Sequence, residues 1–563
     1  MLACEMIARY LRDAGVTVQF GLLGEGNIAV ATALDQLGVR FVGARREDAA
    51  VSMADGWARR TGSVGFASVT QGPGFTNTVT ALTEAARHGT PLVLLTGVTP
   101  RADLHNSQRF PTRELVALTG AGWRETRGLA FLADDVRAVF AGALTERRPY
   151  VLGVDTSLLY EVADSLLLTG ELPETLPEHA LSWRARPVTP SPEAIAAGAE
   201  LLAAAKNPVI LAGRGAAAPE AIDAVHRLAE HLDAPLATTL LGKGLLGGDR
   251  HIGICGGFAT GRGADVIGAA DLVLAVGCSL NLWTATELLD GSTIVHIDAD
   301  PAAIGRWRVP DLGIVGDAHL TCEALLDDLR KNQGAARRAP APLPPFNRVA
   351  EMRRPPGRPA EDDVRAPFLV GEVALAMREC FPPGAVLASD TGQATADIVA
   401  YVEPAGPDHF IYPIHAGSIG LGLGTAMGAS LAGTGQWTVH FTGDGSLMMA
   451  LQELATVAEQ RLRLIIVVLD DGGYGAEVQY TRGRGIPSHL AAVPHPDLAA
   501  LAPAFGLDYH RIDTLADLRG VRTIAAGDGG PALVHVPIDP DSASRFFRDY
   551  SSVPKVAGWD GGR

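Results

Sequence analysis

Residues 439–475 constrain the fold of this chain most, because they predict two buried parallel strands joined by a helix. Apolar runs at residues 439–442 and 464–469 have the length of strands. Between them, apolar residues recur at steps of three and four, as on one face of a helix: Leu447, Met448, Leu451, Leu454, Ala455, Ala458 and Leu462. A strand, helix and strand in this order are typical of a parallel sheet.

Each predicted strand is followed by a turn rich in glycine and aspartate. Gly443-Asp444-Gly445-Ser446 follows the first, and Asp470-Asp471-Gly472-Gly473 follows the second. Because the carboxyl ends of parallel strands share one edge, we expect Asp444 and Asp471 to meet there. Glycines let the backbone approach closely, amides at a helix start attract an anion, and carboxylates are hard metal ligands. The turns therefore predict a diphosphate site bridged by Mg²⁺. A second Gly-Asp-Gly, at residues 527–529, precedes a predicted strand (531–536) and is interpreted as a loop.

The two turns together resemble the cofactor signature of thiamine diphosphate (ThDP)-dependent enzymes of the acetolactate synthase and 2-oxo acid decarboxylase superfamily. In that family two asparagines end the pattern, whereas this chain has Asp470 and Asp471. The resemblance implies that Asp444 and Asp471 bind the metal through their side chains and Gly473 through its carbonyl group. A second carboxylate suits Mg²⁺, Ca²⁺ or Mn²⁺ but adds negative charge beside a diphosphate, which leaves metal preference open.

Length, composition and charge indicate a soluble enzyme of several domains. At about 150 residues per domain, 563 residues predict three or four domains. The net charge of -16 argues against nucleic acid or an anionic membrane as a partner. The five cysteines have no paired spacing, which favours a reducing compartment and no zinc site. Charged residues interrupt the N-terminal apolar positions, and no apolar run approaches the roughly 20 residues of a membrane span. We therefore expect a cytoplasmic protein.

Alternating apolar runs and helical patterns predict an α/β fold throughout. Proline-rich stretches at 173–192 and 333–367 are interpreted as linkers. The prediction is three doubly wound parallel-sheet domains at residues 1–170, 190–332 and 365–545, followed by a tail at 546–563. By the resemblance, these are a pyrimidine-binding, a middle Rossmann-like and a diphosphate-binding domain.

In the first domain, Glu47 follows a predicted strand and begins a predicted helix, where a glutamate alone is typical of a helix-dipole partner. The surrounding segments RREDAA, MADGWARRTG and GPGFTN resemble the pyrimidine-binding domain of the same superfamily. The resemblance implies that Glu47 binds the aminopyrimidine ring and promotes the tautomer that takes the proton from the thiazolium carbon. Gln71 and Gln108 lie in stretches that resemble substrate-facing segments, although each could equally be a loop amide that satisfies the backbone.

The middle domain contains a motif that suggests a different function, the binding of a dinucleotide. Residues 213–218 follow a predicted strand and approximate the G-x-G-x-x-A fingerprint of NAD- and FAD-binding domains. The next strand region, APLATTLL, ends without an acidic residue to hold a ribose. FAD is possible here but not expected, and we expect an empty or vestigial site.

In the third domain, Gly417-Ser418-Ile419-Gly420 resembles the family segment that holds the aminopyrimidine, through the Gly417 carbonyl and the Ile419 amide. Ile419 would also be the bulky residue that bends the cofactor, although close helix–sheet packing would explain the glycines as well. His415 and Glu477 are the titratable groups expected nearest the reacting carbon, although an isolated histidine is more often structural. The resemblance implies further cofactor contacts at Gln393, Gly443, Gly445, Ser446, Tyr474 and Gly475.

The resemblance covers nearly the whole chain and predicts a ThDP- and Mg²⁺-dependent carboligase. Such an enzyme decarboxylates a 2-oxo acid and passes the acyl anion equivalent to an acceptor, as acetolactate synthase does. Simple decarboxylation is the alternative, but residues 104–110 lack the double histidine of pyruvate-type decarboxylases. A nucleotide-sensing or scaffold protein is the alternative of another class. Because the family's sites lie between subunits, we expect a homodimer or homotetramer.

Overall fold

The computed structural model describes residues 1–164, 175, 187–281, 283–284, 286–332, 343–348, 351, 358, 364–433 and 435–549. They form three sheets of six strands, and adjacent strands of each sheet run parallel. This confirms the predicted α/β class with three parallel sheets. The predicted linkers, and the tail beyond residue 549, lie largely outside the described residues.

The first sheet has the strand order β2-β1-β3-β4-β6-β5. Its strands are β1 (Val18–Gly21), β2 (Arg40–Gly43), β3 (Gly65–Val69), β4 (Leu92–Val98), β5 (Gly122–Glu125) and β6 (Tyr150–Asp155). Its helices are α1 (Ala3–Asp13), α2 (Ile28–Gln36), α3 (Glu47–Thr61), α4 (Pro73–Thr76), α5 (Val79–His88), α6 (Thr112–Thr119) and α7 (Leu132–Glu146). The predicted helix at Glu47 is α3, which this residue begins.

The middle sheet has the order β12-β11-β10-β7-β8-β9. Its strands are β7 (Pro208–Ala212), β8 (Leu236–Thr238), β9 (His251–Ile254), β10 (Leu272–Val276), β11 (Thr293–Asp298) and β12 (Leu312–Val315). Its described helices are α8 (Pro192–Ala204), α9 (Pro219–Leu232), α10 (Gly261–Gly268) and α11 (Ala318–Asn332). From β7 the strands continue through β8 and β9 on one side of the sheet, and from β10 they continue through β11 and β12 on the other. The strand order therefore reverses between β7 and β10, and such sheets bind ligands at this topological switch point.

The third sheet has the order β14-β13-β15-β16-β18-β17. Its strands are β13 (Val386–Ser389), β14 (Phe410–Ile411), β15 (Thr438–Gly443), β16 (Leu464–Asp470), β17 (Asp508–Arg511) and β18 (Ala532–Pro537). Its described helices are α12 (Val370–Cys380), α13 (Gln393–Tyr401), α14 (Gly422–Ala432), α15 (Asp444–Met449), α16 (Leu454–Glu459), α17 (Gly475–Arg484), α18 (Leu498–Ala504), α19 (Gly520–Ala526) and α20 (Arg545–Asp549). Strands β15 and β16 are buried almost throughout, as expected of central parallel strands.

The prediction of a single helix between β15 and β16 is wrong in one respect, because the helix is interrupted in the structure. A short 3₁₀ turn, Leu451–Glu453, separates α15 from α16, and Leu462 lies beyond both helices. At the interruption, the buried carboxylate of Glu453 accepts hydrogen bonds from the Arg45 amide at 3.0 and 3.2 Å. This contact joins the third domain to the chain just before α3.

One apolar core is shared by the first and third sheets, which holds α3 directly against α14. The helices approach so closely that a Cβ at Gly56 would lie 1.9 Å from the Thr425 carbonyl oxygen. A Cβ at Gly428 would lie 1.9 Å from the Met53 carbonyl oxygen. The helix that begins with Glu47 is therefore packed rigidly against the helix that follows Gly420. No described helix is both long and apolar enough to cross a membrane.

Candidate active site

Asp444 lies at the carboxyl edge of the third sheet, where β15 and β16 end side by side with Gly443 opposite Leu469. Both of its carboxylate oxygens are buried and have no hydrogen-bond partner among the described residues. Burial, followed by the charges of Asp471 and Asp470, raises the pKa of Asp444 to about 7. His495 Nε2 lies 3.9 Å from Asp444 Oδ2, beyond hydrogen-bond distance. A buried carboxylate that accepts no hydrogen bond and lies near two other carboxylates is suited to a divalent cation.

Asp471 is oriented by Gln393, a residue predicted to bind the cofactor. The Gln393 side chain donates from Nε2 to Asp471 Oδ2 at 3.0 Å and accepts from the Ser544 amide at 3.0 Å. A Cβ at Gly475 would lie 2.0 Å from Asp471 Oδ2, so this glycine makes room for the carboxylate. Burial also raises the pKa of Asp471. A cation at this edge would relieve the repulsion between Asp444 and Asp471.

Asp470 differs from its neighbour because two histidines hold its carboxylate. His495 Nε2 lies 3.0 Å from Oδ1, and His535 Nε2 lies 2.7 Å from Oδ2. Although burial raises it, the hydrogen bonds from His535 and His495 lower the pKa of Asp470 to about 2. The Tyr509 hydroxyl group in turn lies 2.9 Å from His535 Nδ1. Sequence reasoning missed both histidines, which no local motif marks.

The two glycine turns meet around Tyr474. A Cβ at Gly445 would lie 2.9 Å from the Tyr474 ring, so the glycine allows the ring to pack against the first turn. Gly473 forms a bridge with Ala492, and the Tyr474 amide donates to the Ala491 carbonyl oxygen at 2.9 Å. Ser446 is buried in α15, and Glu477 is exposed on the first turn of α17. The structure thus places the predicted diphosphate and metal residues together at one sheet edge.

The segment 417–420, predicted to hold the aminopyrimidine, is anchored to the loop after β13. Asp390 Oδ2 accepts the Gly420 amide at 3.0 Å, and Thr391 Oγ1 donates to the Ser418 carbonyl oxygen at 2.9 Å. Gly417 has a left-handed φ of 65° and an open environment. Gly417 is exposed and Ile419 half-buried, so both can be reached by a ligand.

Glu47, Gln71 and Gln108 lie together at the carboxyl edge of the first sheet. Half-buried Glu47 accepts a hydrogen bond from Asn77 Nδ2 at 2.9 Å on its Oε2. Gln71 donates to Gln108 Oε1 at 2.8 Å. Within the described part of the chain, no hydrogen bond joins these three residues to the turns at Asp444 and Asp471. Apart from His415, the predicted residues therefore form two groups, one on each of two sheet edges.

His415 belongs to a different, buried cluster between the domains. Its Nδ1 lies 3.5 Å from Glu84 Oε1, and its ring lies edge-on to His88 at a centroid distance of 5.3 Å. Arg214 of the middle domain hydrogen-bonds the His88 ring and donates to its carbonyl oxygen at 2.6 Å. Glu84, His88 and Arg214 were not predicted as functional residues.

The dinucleotide-like turn after β7 is packed against the loop after β10. A Cβ at Gly215 would lie 2.7 Å from Gly277 Cα, and one at Gly213 would lie 2.5 Å from the Gly277 carbonyl oxygen. Arg214, between these glycines, extends to the first domain, where it hydrogen-bonds His88. The two glycines therefore allow the turn after β7 to lie directly against the loop after β10, at the switch point of the middle sheet.

Three protein-family models match segments of this chain. Residues 1–118 match the thiamine pyrophosphate enzyme N-terminal TPP binding domain, 195–325 the central domain, and 390–536 the C-terminal TPP binding domain. Thiamine pyrophosphate is another name for ThDP.

Named relatives and a solved structure match nearly the whole chain. A Pseudomonas aeruginosa protein named as a probable 2-ketoarginine decarboxylase is 30% identical over 95% of this chain and 94% of its own length. The acetolactate synthase isozyme 2 large subunit of Escherichia coli is 28% identical over 96% of both chains. A structure from Mycobacterium smegmatis, described as that of a proposed thiamin diphosphate-dependent enzyme, has a TM-score of 0.76 at 23% identity. It covers 96% of this chain and 100% of its own, and it supports the fold.

Proposed function

Because this chain belongs to the thiamine diphosphate-dependent enzyme family, we propose that it decarboxylates a 2-oxo acid and transfers the remaining acyl group to an acceptor. The observation that carries the proposal is the buried, unpartnered Asp444 carboxylate beside Asp471. His495 Nε2 lies 3.9 Å from Asp444 Oδ2 but hydrogen-bonds Asp470, so neither Asp444 oxygen has a donor, and burying a carboxylate in this state is costly unless a cation binds there. This argues against a scaffold or sensor without catalysis.

The residues at the third sheet edge suit Mg²⁺ and the diphosphate of ThDP. Asp444, Asp471 and the Gly473 carbonyl group would hold the metal, and Gly417 and Ile419 would hold the aminopyrimidine ring. The remaining diphosphate contacts would come from Gly443, Gly445, Ser446, Tyr474 and Gly475. When bound, the cofactor supplies the electron sink that decarboxylation of a 2-oxo acid requires. Glu47 would hold the proton at the ring nitrogen, and Gln71, Gln108 and Glu477 would face the substrate.

The enzyme is proposed to act as a homodimer or a larger assembly of dimers. Glu47 lies on the edge of the first sheet and Asp444 on that of the third, so a second copy could bring the two groups around one cofactor. A cytoplasmic location is part of the proposal, because all five cysteines are free and buried, as suits a reducing compartment.

Release of the product as an aldehyde, without an acceptor, is the second candidate function. It is favoured by the relative named as a probable 2-ketoarginine decarboxylase, whereas several other relatives are named acetolactate synthases. We would reconstitute the protein with ThDP and Mg²⁺ and screen 2-oxo acids, including pyruvate and 2-ketoarginine. Carbon dioxide release and product mass should be followed together. A product that contains both donor and acceptor supports carboligation, an aldehyde supports the second candidate, and no release from any 2-oxo acid contradicts both.

The role of Glu47 can be separated from cofactor binding with the variant Glu47→Gln. The glutamine amide can still form a hydrogen bond to the ring nitrogen but cannot exchange a proton with it. ThDP affinity should therefore stay within roughly tenfold of wild type. Turnover should fall by about a hundredfold or more, the usual scale for a lost acid–base group. Deuterium exchange at the thiazolium C2 of bound ThDP is the decisive measurement.

Asp48→Asn is the matched control, because it removes the same charge from the same helix start. Its exchange rate should equal that of wild type. Wild-type exchange in Glu47→Gln would show that Glu47 does not activate the cofactor.

A further inference from the structure

Glu84 is a buried glutamate of α5 that connects the first domain to the segment preceding Gly417. It is 1% exposed. Its Oε2 accepts the Ala416 amide at 2.6 Å, and its Oε1 accepts Arg59 Nη2 at 3.0 Å. Although burial raises it, the contacts with His415, Arg59 and the Ala416 amide lower the pKa of Glu84 to about 2. Glu84 is therefore an ionised carboxylate with both oxygens occupied.

Arg59, the partner of Glu84, extends the same connection. Its guanidinium group is buried and donates to both oxygens of Asp55, at 2.8 and 2.6 Å. It also donates to the Tyr412 carbonyl oxygen at 3.2 Å. Arg59 and Asp55 lie on α3, the helix that begins with Glu47. The first domain thus holds the chain at residues 412 and 416, immediately before the segment 417–420.

A metal ion is not the best explanation of this cluster. Ligand atoms of Glu84, His88 and His415 lie within 4.8 Å of one another. However, Arg59 already donates a hydrogen bond to Glu84, and the buried guanidinium group of Arg214 is hydrogen-bonded to the His88 ring. The positive charges of Arg59 and Arg214, each in hydrogen-bond contact with one of the candidate ligands, would repel a divalent cation.

The segment 417–420 is consequently fixed at both ends by different domains. Asp390 and Thr391 of the third domain hold Gly420 and Ser418, as described above. Glu84 of the first domain holds Ala416. Between these anchors, the Gly417 carbonyl and the Ile419 amide are the backbone groups assigned to the aminopyrimidine ring in the proposed function.

We propose that Glu84, supported by Arg59, is a positioning residue that presents the Gly417–Ile419 backbone to the aminopyrimidine half of the cofactor. Glu84 would not touch the cofactor, and the diphosphate and metal half of the site would not depend on it. This inference rests on the proposed function. It goes further by giving the first domain a role in binding the ring through its contact with the third domain of the same chain.

The variant Glu84→Gln tests the proposal. A glutamine has a single acceptor oxygen, so either Arg59 or the Ala416 amide loses its partner. We expect the dissociation constant of ThDP, measured by titration calorimetry with Mg²⁺ present, to rise by about tenfold, the scale of one lost hydrogen bond to a charged group. Inorganic pyrophosphate with Mg²⁺ probes the diphosphate half alone, and its affinity should stay within about twofold of wild type. A purely structural role would weaken both ligands alike.

Glu146→Gln is the matched control. Glu146 is also a hydrogen-bonded carboxylate of the first domain, paired with Arg148 and Tyr150, but it is 46% exposed at the end of α7. This variant should bind both ligands as wild type does.

If Glu84→Gln does not fold, Glu84→Asp serves instead, since it keeps the charge for Arg59 while its shorter side chain withdraws from Ala416. Unchanged ThDP affinity, equal losses for ThDP and pyrophosphate, or unfolding of both variants would each overturn the proposal. Failure of the wild-type protein to bind either ligand would instead refute the proposed function.

Discussion

At the residue scale, neighbouring carboxylates of one sheet edge have very different acidities. Asp470 has a pKa of about 2, because two histidines donate to it, whereas Asp444 has a pKa of about 7, because it is buried near two other carboxylates. The difference assigns them different tasks. The protein supplies hydrogen-bond donors to both oxygens of Asp470, whereas Asp444 is the carboxylate proposed to bind a cation.

Asp444 should therefore destabilise the protein when metal and cofactor are absent. Because folding raises the pKa of this acid from 3.8 to about 7, the penalty is absent below pH 4, grows as the pH rises, and is complete above pH 7. Asp444→Asn should raise the free energy of unfolding of the cofactor-free protein at pH 8 by on the order of 2 kcal/mol, and by much less at pH 5. Urea denaturation at the two pH values measures this.

The same variant should lose the stabilisation that saturating Mg²⁺ and ThDP give to wild type, about 2.7 kcal/mol at a hundredfold excess over the dissociation constant. Asp528→Asn is the control, because Asp528 lies in the second Gly-Asp-Gly, where it is exposed. It should change neither quantity. A destabilised cofactor-free Asp444→Asn protein would contradict the assignment.

At the scale of elements, the contact between α3 and α14 leaves no room for a side chain at two glycines of the described residues. Glycines at Gly56 and Gly428 allow each helix backbone to touch the other. Helix α3 begins with Glu47, and α14 directly follows the segment 417–420. A change in this spacing would displace both groups that are proposed to bind the aminopyrimidine.

Gly56→Ala should lower the free energy of unfolding by about 1 to 3 kcal/mol, because its Cβ would lie 1.9 Å from the Thr425 carbonyl oxygen and the helices must separate. Gly520→Ala is the matched control, since Gly520 begins α19 with helical dihedral angles and open space around it. The control should be unchanged or more stable by up to about 1 kcal/mol. Urea midpoints of the two variants measure the difference, and equal midpoints would show that the helix contact can adjust.

At the scale of the whole molecule, the positions of the two groups of predicted site residues raise the question of whether the site forms within one chain or between two copies. Glu47 with Gln71 and Gln108 lies on one sheet edge, and Asp444 with Asp471 lies on another, with no hydrogen bond between the groups in the described residues. A site composed of one edge from each of two copies would bring both groups to a single cofactor.

Mixing two inactive variants, Glu47→Gln and Asp444→Ala, tests that arrangement. If the site lies between copies, a mixed dimer has one intact site, and random exchange at equal concentrations should restore about a quarter of wild-type activity. If both groups act within one chain, every site stays defective. Native mass spectrometry would confirm that mixed dimers form, and mixed dimers without activity would contradict an interface site.

The sequence by itself determined the strands, the turns that follow them and the helix start at Glu47. These depend on local properties, namely apolar periodicity and the glycine and aspartate residues adjacent to each strand end. The parallel arrangement then placed Asp444 beside the turn of Asp471, since adjacent parallel strands end at one edge. The interruption after α15 was not predictable in this way, because it coincides with a contact from Glu453 to Arg45 of another domain.

Only the tertiary structure decided which side chains support the site from a distance. His495 and His535 reach Asp470 across 25 and 65 residues of chain, Arg214 reaches His88 across 126, and Glu84 reaches Ala416 across 332. No periodicity or motif encodes such pairs, because they join residues that are distant in sequence, either on adjacent strands and loops of one sheet, as for Asp470 and His535, or on different domains, as for Glu84 and Ala416. Burial then determines their chemistry, since a carboxylate removed from water must find a donor or a cation.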